Sequence, residues 1–91
     1  ILGVAEILRD RGETDQALAA LAAYGNPDSE VRAGDWWFLI LELYGDIHAA
    51  RGEREKALAR YRTAAGIETH AVWLERVRKK IDVLGTNPKL N

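Results

Sequence analysis

The chain has 91 residues, enough for one small domain, and its 47% of hydrophobic and 30% of charged residues are typical of a globular protein and not of a disordered one. The absence of cysteine excludes a disulfide scaffold, a cysteine-based zinc site and a thiol nucleophile. The longest apolar run, residues 17–24, is far shorter than the roughly 20 residues that a membrane-spanning helix needs, so no membrane insertion is expected.

Charge is unevenly distributed along the chain, although the net charge is only −1. Residues 1–50 carry three basic and nine acidic side chains, a net charge of −6, whereas residues 51–91 carry ten basic and five acidic side chains, a net charge of +5. A chain polarised in this way can stack head to tail, with the acidic end of one copy against the basic end of the next. Self-association is therefore one hypothesis for its function.

Residues 1–25 are predicted to form two short helices joined by a tight turn. Apolar residues recur at helical spacing over residues 1–10 and again over residues 15–24. Gly12 supplies the left-handed conformation that ends a helix at low cost, and Gly25 and Gly66 are expected to stop the second helices in the same way.

The third predicted helix is the longest, at residues 27–50, with Pro27 in its first turn. Apolar side chains cover more than half of its circumference on a helical wheel, which predicts a helix buried between neighbours. The consecutive Trp36 and Trp37 point about 100° apart. We expect one to pack into the core and the other to cover the preceding hairpin, or to remain partly exposed as an interface anchor.

Two further helices are predicted, at residues 54–65 and 70–84. The last one carries a single apolar stripe, formed by Trp73, Leu74, Val77, Ile81 and Leu84. A helix with one apolar face suits the end of a stacked array. The expected organisation is one all-α domain, residues 1–85, made of repeat one (1–25), repeat two (27–66) and a capping helix (69–85), followed by a tail (86–91).

The chain repeats itself with a spacing of forty residues. Seven residues recur forty positions later, namely Ile7, Arg11, Gly12, Glu13, Ala17, Leu18 and Ala19. The apolar positions around them match in kind, and the last helix aligns with the opening half of a third unit. A repeat of this length indicates an array of stacked supersecondary units.

These units resemble tetratricopeptide repeats, lengthened to forty residues from the usual number of about thirty-four. The family's pattern of large, small and aromatic residues is matched in the second unit by Leu41, Gly45, Gly52, Ala57, Tyr61 and Ala64. The first unit offers Ile1, Ala5, Gly12, Ala17 and Leu21, with Tyr24 where alanine is expected. The resemblance implies five helices in a short right-handed solenoid. Small residues at the close helix contact predict that Gly45 lies against Ala57.

In this family the first helix of each unit lines a concave groove that binds peptides. At matching positions the candidate groove residues are Glu6, Arg9, Asp10, Asp35, Leu39, Glu42, Asp46, Ala49, Glu75, Lys79 and Asp82. Members that grip a peptide's C-terminal carboxylate have cations where this chain has Glu42 and Asp46. The resemblance therefore implies an acidic groove that prefers a basic, partly apolar segment, held by these two carboxylates and packed on Leu39. A solvated acidic stripe without a ligand is the alternative.

No residue pattern predicts catalysis or the binding of a metal or cofactor. Glu42 and Asp46 lie one turn apart but lack a paired histidine, and His48 falls on the buried stripe of the third helix. Phosphate-binding glycine loops are absent. The basic cluster at residues 76–80 lacks interleaved aromatic residues, and the pI near 6.1 argues against nucleic-acid binding.

By fold-level analogy, the expected function is protein or peptide binding by a scaffold module. The alternatives are self-association, head to tail or as a dimer, and a spacer or sensor segment of a multidomain bacterial regulator. The chain starts at Ile1 without an initiator Met, so we expect a piece of a larger protein. The Ala- and Arg-rich composition suits a bacterial source. With no visible signal peptide a cytoplasmic location is expected, with a periplasmic or membrane-tethered parent protein as the alternative.

Overall fold

The computed structural model describes residues 2–25, 27, 35–67 and 69–85, and this part of the chain contains five α-helices and no strand. The helices are α1 Leu2–Asp10, α2 Thr14–Ala22, α3 Asp35–Ala50, α4 Arg54–Ala65 and α5 Ala71–Gly85. The prediction of an all-α fold is thereby confirmed. Within these ranges no helix is both long and apolar enough to cross a bilayer.

The predicted start of the third helix was wrong at Pro27, which lies in a turn. Proline fixes φ near −65° and suits a turn as well as the first turn of a helix, so the residue alone did not decide between them. Helix α3 begins at Asp35. Residues 28–34, which the prediction included in this helix, lie outside the described residues, as does the predicted tail at 86–91.

The Arg-Gly-Glu turn has the same backbone geometry in both hairpins. Gly12 has φ 79° and Gly52 has φ 76°, the left-handed conformation that glycine adopts without steric cost. In each turn the glutamate N–H donates to the carbonyl oxygen five residues back, at 2.8 Å in the first hairpin and 2.9 Å in the second. These bonds satisfy helix-terminal carbonyls. The forty-residue repeat is thus a repeat of structure at these turns.

Gly66 ends α4 differently from the prediction. Its φ of −83° and ψ of −7° are right-handed, so the helix does not stop through a left-handed glycine. Its N–H donates to the carbonyl of Thr63 at 3.1 Å, and the N–H of Ile67 donates to that of Ala64 at 3.0 Å. Bonds over three residues tighten the last turn and satisfy its carbonyls without a change of handedness.

Each helix packs against the next one along the chain, and α1 also contacts α3. Helix α3 supplies most of the large core side chains, of which Phe38, Ile40, Leu41 and Ile47 are fully buried. Its position between the α1–α2 hairpin and α4 explains why its sequence is apolar around so much of its circumference.

The two consecutive tryptophans separate as their angular spacing predicts. Trp37 is buried in the core, whereas Trp36 is half-exposed. The ring of Trp36 packs edge-on against Tyr24 in the turn after α2, with the centroids 5.5 Å apart. Trp36 therefore covers the preceding hairpin and keeps part of its surface in solvent.

At Gly45, where we predicted a close contact with Ala57, the atoms nearest to an added Cβ belong to the ring of Tyr61 of α4. A Cβ added at Gly45 would overlap the edge of the Tyr61 ring and come within 2.9 Å of its Cζ. Glycine is therefore required here because an aromatic ring occupies the space of a side chain. Ala57 is itself fully buried.

Helix α5 packs against α4 with Val77 fully buried at its centre. Trp73 stacks on Phe38 of α3 with the ring centroids 6.0 Å apart. The predicted apolar stripe thus covers the core with one face of α5. The opposite face of the helix is exposed.

Candidate functional site

A depression of about 440 Å³ lies between α1, α3 and α5. Its walls bring together five of the predicted groove residues, Glu6, Arg9, Leu39, Glu42 and Asp46. They are completed by Leu43, Arg76 and Lys80, which were not among the predicted groove residues. We call this site the central depression.

The other predicted groove residues with described side chains do not line the central depression. Ala49 borders a smaller, mostly apolar depression of about 280 Å³ with Val83 and Leu84 of α5. Glu75 and Lys79 border a third one, of about 490 Å³, on the outer side of α5.

Two predicted groove residues with described side chains line none of these depressions. Asp10 is exposed on α1 and pairs with Arg9 at 3.0 Å. Asp82 is exposed on α5. Asp35 begins α3, but its side chain lies outside the described residues.

Glu42 is the most deeply buried carboxylate of the central depression, with 8% of its side chain exposed. Arg76 holds it through two parallel bonds, from Nε to Oε2 at 2.6 Å and from Nη2 to Oε1 at 2.5 Å, and Lys80 adds a third to Oε2 at 2.8 Å. Burial raises the pKa of Glu42, but the hydrogen bonds and charges of Arg76 and Lys80 outweigh it and hold the pKa below its ordinary value. Glu42 is therefore ionised at neutral pH.

Asp46, one turn further along α3, is held by donors from three other helices. Nζ of Lys80 donates to its two oxygens at 2.9 and 3.1 Å, and Nη1 of Arg9 donates at 3.2 Å. The hydroxyl of Tyr61 donates to Oδ1 at 2.6 Å. Burial and the neighbouring Asp46 raise the pKa of Tyr61, so its hydroxyl keeps its proton and remains a donor.

This arrangement corrects the expectation of an acidic groove in which Glu42 and Asp46 await a basic ligand. Both carboxylates already accept bonds from cations of the same chain. The cations also lie nearer the surface, since the side chain of Arg76 is 43% exposed and that of Asp46 is 19% exposed. In the pairs with Glu42 and Asp46 the cations are therefore more exposed than the carboxylates, while Glu6 is an exposed acid on the same wall.

Sequence reasoning missed Arg76 and Lys80 because they lie 34 to 38 residues from their partners. One signal was present. Glu42 and Asp46 are spaced by four residues on α3, and Arg76 and Lys80 are spaced by four residues on α5. Two helices that pack side by side can match such pairs turn by turn.

His48 is a packed side chain, as its place on the buried stripe of α3 predicted. It is buried, stacks on Tyr44 with the centroids 6.5 Å apart, and has Nδ1 2.7 Å from Oε1 of Glu53. Among the residues with described positions, no group of three or more histidine, aspartate or glutamate side chains is placed to hold a metal ion.

Comparisons with family models, with curated proteins and with solved structures found no match for this chain. The geometry of the central depression and of the surfaces around it is therefore the basis on which a function is proposed. The resemblance to tetratricopeptide repeats rests on the residues quoted above.

Proposed function

We propose that the chain is a protein-binding module of the tetratricopeptide type, and that its ligand binds in the central depression. The observation that carries this proposal is the convergence of α1, α3 and α5 on one open site of about 440 Å³. Binding sites for segments of other proteins combine apolar walls with a few fixed polar groups. Leu39 and Leu43 supply the apolar wall here, and Arg76 and Lys80 supply the fixed polar groups.

A solenoid-like stacking of the hairpins is part of the proposal. It is supported by the repeated turn geometry at Gly12 and Gly52 and by the packing of each helix on the next one along the chain. In such an array the first helix of each hairpin faces the same side, which accounts for the convergence of α1, α3 and α5.

The ligand class that the charges favour is an acidic, partly apolar segment. A basic segment would have to break the charge-assisted hydrogen bonds that Arg76 and Lys80 already make to Glu42 and Asp46, or bind beside these partly exposed cations, which repel it. Acidic side chains instead meet the exposed side of the Arg76 guanidinium, which Glu42 holds in place and which lies 6.0 Å from the centre of the Trp73 ring. Complementary charge of this kind raises the association rate and sets specificity.

Fluorescence anisotropy with labelled peptides tests the proposal. Three peptides of equal length are titrated. In each of them leucine alternates with one polar residue, which is glutamate in the first, lysine in the second and serine in the third. We expect the glutamate peptide to bind more tightly than the other two, and its affinity to fall as salt rises.

Glu6 provides a gain-of-function variant, since its exposed carboxylate lines the central depression and repels an acidic ligand. Glu6→Lys should tighten binding of the glutamate peptide several-fold. The matched control is Glu55→Lys, the same charge reversal on the exposed face of α4, which should leave affinity within about twofold. Binding of the lysine peptide alone would contradict the ligand class, and binding of none of the three would contradict the proposed function.

A further inference from the structure

Helix α1 leaves two large apolar side chains in solvent. Val4 and Ile7 are each more than half exposed. Their equivalents forty residues later, Tyr44 and Ile47 of α3, are buried. The difference is informative because the turns that follow the two helices have the same geometry.

The preceding hairpin buries this face of α3. Helix α2 packs on α3, and the hydroxyl of Tyr44 donates to the carbonyl of Gly25 just after α2, at 3.3 Å. Val4 and Ile7 of α1 thus occupy positions whose equivalents on α3 are buried where α2 packs. The exposed face of α1 is a docking position for a helix.

Helix α5 carries an exposed stripe that suits this position. Val72 and Val83 are 77% and 72% exposed, the highest values among the large apolar residues described. Arg76 and Lys79 lie between them, at spacings that place all four residues on one face of the helix. Val77, at the centre of α5, faces the core instead.

The charges beside the two faces are opposite in sign. Helix α1 presents Glu6 and Asp10, one turn apart, next to Val4 and Ile7. Asp10 pairs with Arg9 on the surface, but an exposed pair of this kind is weak and leaves the carboxylate accessible. On α5, Lys79 has no carboxylate partner among the described residues.

We propose that two copies of this chain associate through the exposed face of α1 in one copy and the exposed stripe of α5 in the other. The partner is a second copy because the two faces of this chain are complementary. Each carries exposed apolar side chains, and the charges beside them are acidic on α1 and basic on α5. Each face is small compared with the roughly 800 Å² that a stable interface buries per partner, so the association is weak and sensitive to salt. A closed dimer with two such contacts and an open chain of copies both satisfy the proposal.

Sedimentation velocity over a series of protein concentrations tests it, at about 0.05 M and about 0.5 M salt. We expect the mean sedimentation coefficient to rise with concentration at low salt and much less at high salt. A chain that stays monomeric at every concentration at low salt would overturn the proposal.

Charge-reversal variants distinguish association through this interface from nonspecific association. Lys79→Glu and Asp10→Lys should each weaken association several-fold. An equimolar mixture of the two variants should recover it, because the reversed α5 of one meets the reversed α1 of the other. Lys56→Glu on the exposed part of α4 is the matched control and should associate like the parent chain. Unchanged association of both single variants, or a mixture that recovers none, would disprove the contact, and circular dichroism verifies that each variant is folded.

Glu6 and Arg76 border the central depression as well as the two proposed faces, so association and peptide binding are measured separately. Peptide titrations are made at protein concentrations where the parent chain is monomeric, and the contact uses the α1 and α5 faces described here. Association without peptide binding, or peptide binding without association, would therefore contradict only one of the two proposals.

Discussion

Tyr61 shows how a single side chain links packing to electrostatics in this protein. Its ring fills the space above Gly45, and its hydroxyl donates to Asp46 at 2.6 Å. The ring is almost fully buried, and the hydrogen bond to Asp46 restricts where it can move. A side chain added at Gly45 must therefore displace Tyr61, which is held by the packing of its ring and by the hydrogen bond of its hydroxyl.

Gly45→Ala is predicted to destabilise the fold by about 1–3 kcal/mol, because the added methyl group overlaps the Tyr61 ring. This occurs although alanine favours helix over glycine by up to about 1 kcal/mol. The control is Gly3→Ala in α1, where a Cβ would meet no atom within 4 Å, and which should leave stability equal or higher. Denaturant unfolding followed by circular dichroism measures both. A Gly45→Ala variant as stable as the Gly3→Ala variant would contradict the steric argument.

At the scale of helices, α5 is attached to α3 by two kinds of contact. Its apolar stripe packs on the core through Trp73 and Val77, and its cations reach across to Glu42. The apolar contacts are non-directional, whereas the paired bonds from Arg76 to Glu42 have a defined geometry. The charged pair thus specifies how α5 is aligned along α3.

Glu42→Gln should lower the free energy of unfolding by about 1.5–3 kcal/mol at pH 7, since hydrogen bonds to a charged group are lost. The effect should depend on pH. The pKa of Glu42 is lowered in the folded state, so its contribution is fully present above its unfolded value, near 4.5, and is lost as the pH falls through the lower folded value.

Urea unfolding between pH 7 and pH 3 measures this difference. The gap between the parent chain and the variant should be constant from pH 7 to about pH 5 and should narrow below that. Glu55→Gln, at an exposed position on α4, is the control and should change stability by no more than about 0.5 kcal/mol. A gap that stays the same down to pH 3 would show that the ionised carboxylate is not its cause.

At the scale of the whole molecule, some acidic residues of the first half of the chain form ion pairs with basic residues of the second half. Two acidic residues from the first half, Glu42 and Asp46, are paired with Arg76 and Lys80 from the second half. This pairing reduces the charge that remains for contacts between copies. The exposed charges that remain include Glu6 and Asp10 on α1 and Lys79 on α5.

Stability should also be unevenly distributed, because contacts in a stacked array are made mainly between neighbouring helices. Helix α3 contacts helices on both sides, whereas α1 has exposed Val4 and Ile7 on its outer face. Amide hydrogen exchange, measured by mass spectrometry on the dilute chain, should therefore be slowest in α3 and α4 and fastest in α1. Protection of α1 equal to that of α3 would contradict this distribution.

The sequence by itself was enough to predict the helices, the two Arg-Gly-Glu turns and the forty-residue repeat. These features depend on interactions between residues close in the chain, namely the 3.6-residue periodicity and the left-handed conformation of Gly12 and Gly52. The register also predicted part of the candidate site, since Glu6, Leu39 and Glu42 line one depression.

Only the tertiary structure decided what those site residues contact. The sequence around Glu42 and Asp46 does not reveal whether their carboxylates face solvent or pair with Lys80. The same holds for Gly45, where the ring of Tyr61 occupies the space of a side chain. Distances between helices depend on how the whole array packs, and burial and ion pairing follow from those distances. Cations that the chain places more than thirty residues away therefore balance the charge of the central depression, which three acidic and three basic side chains line.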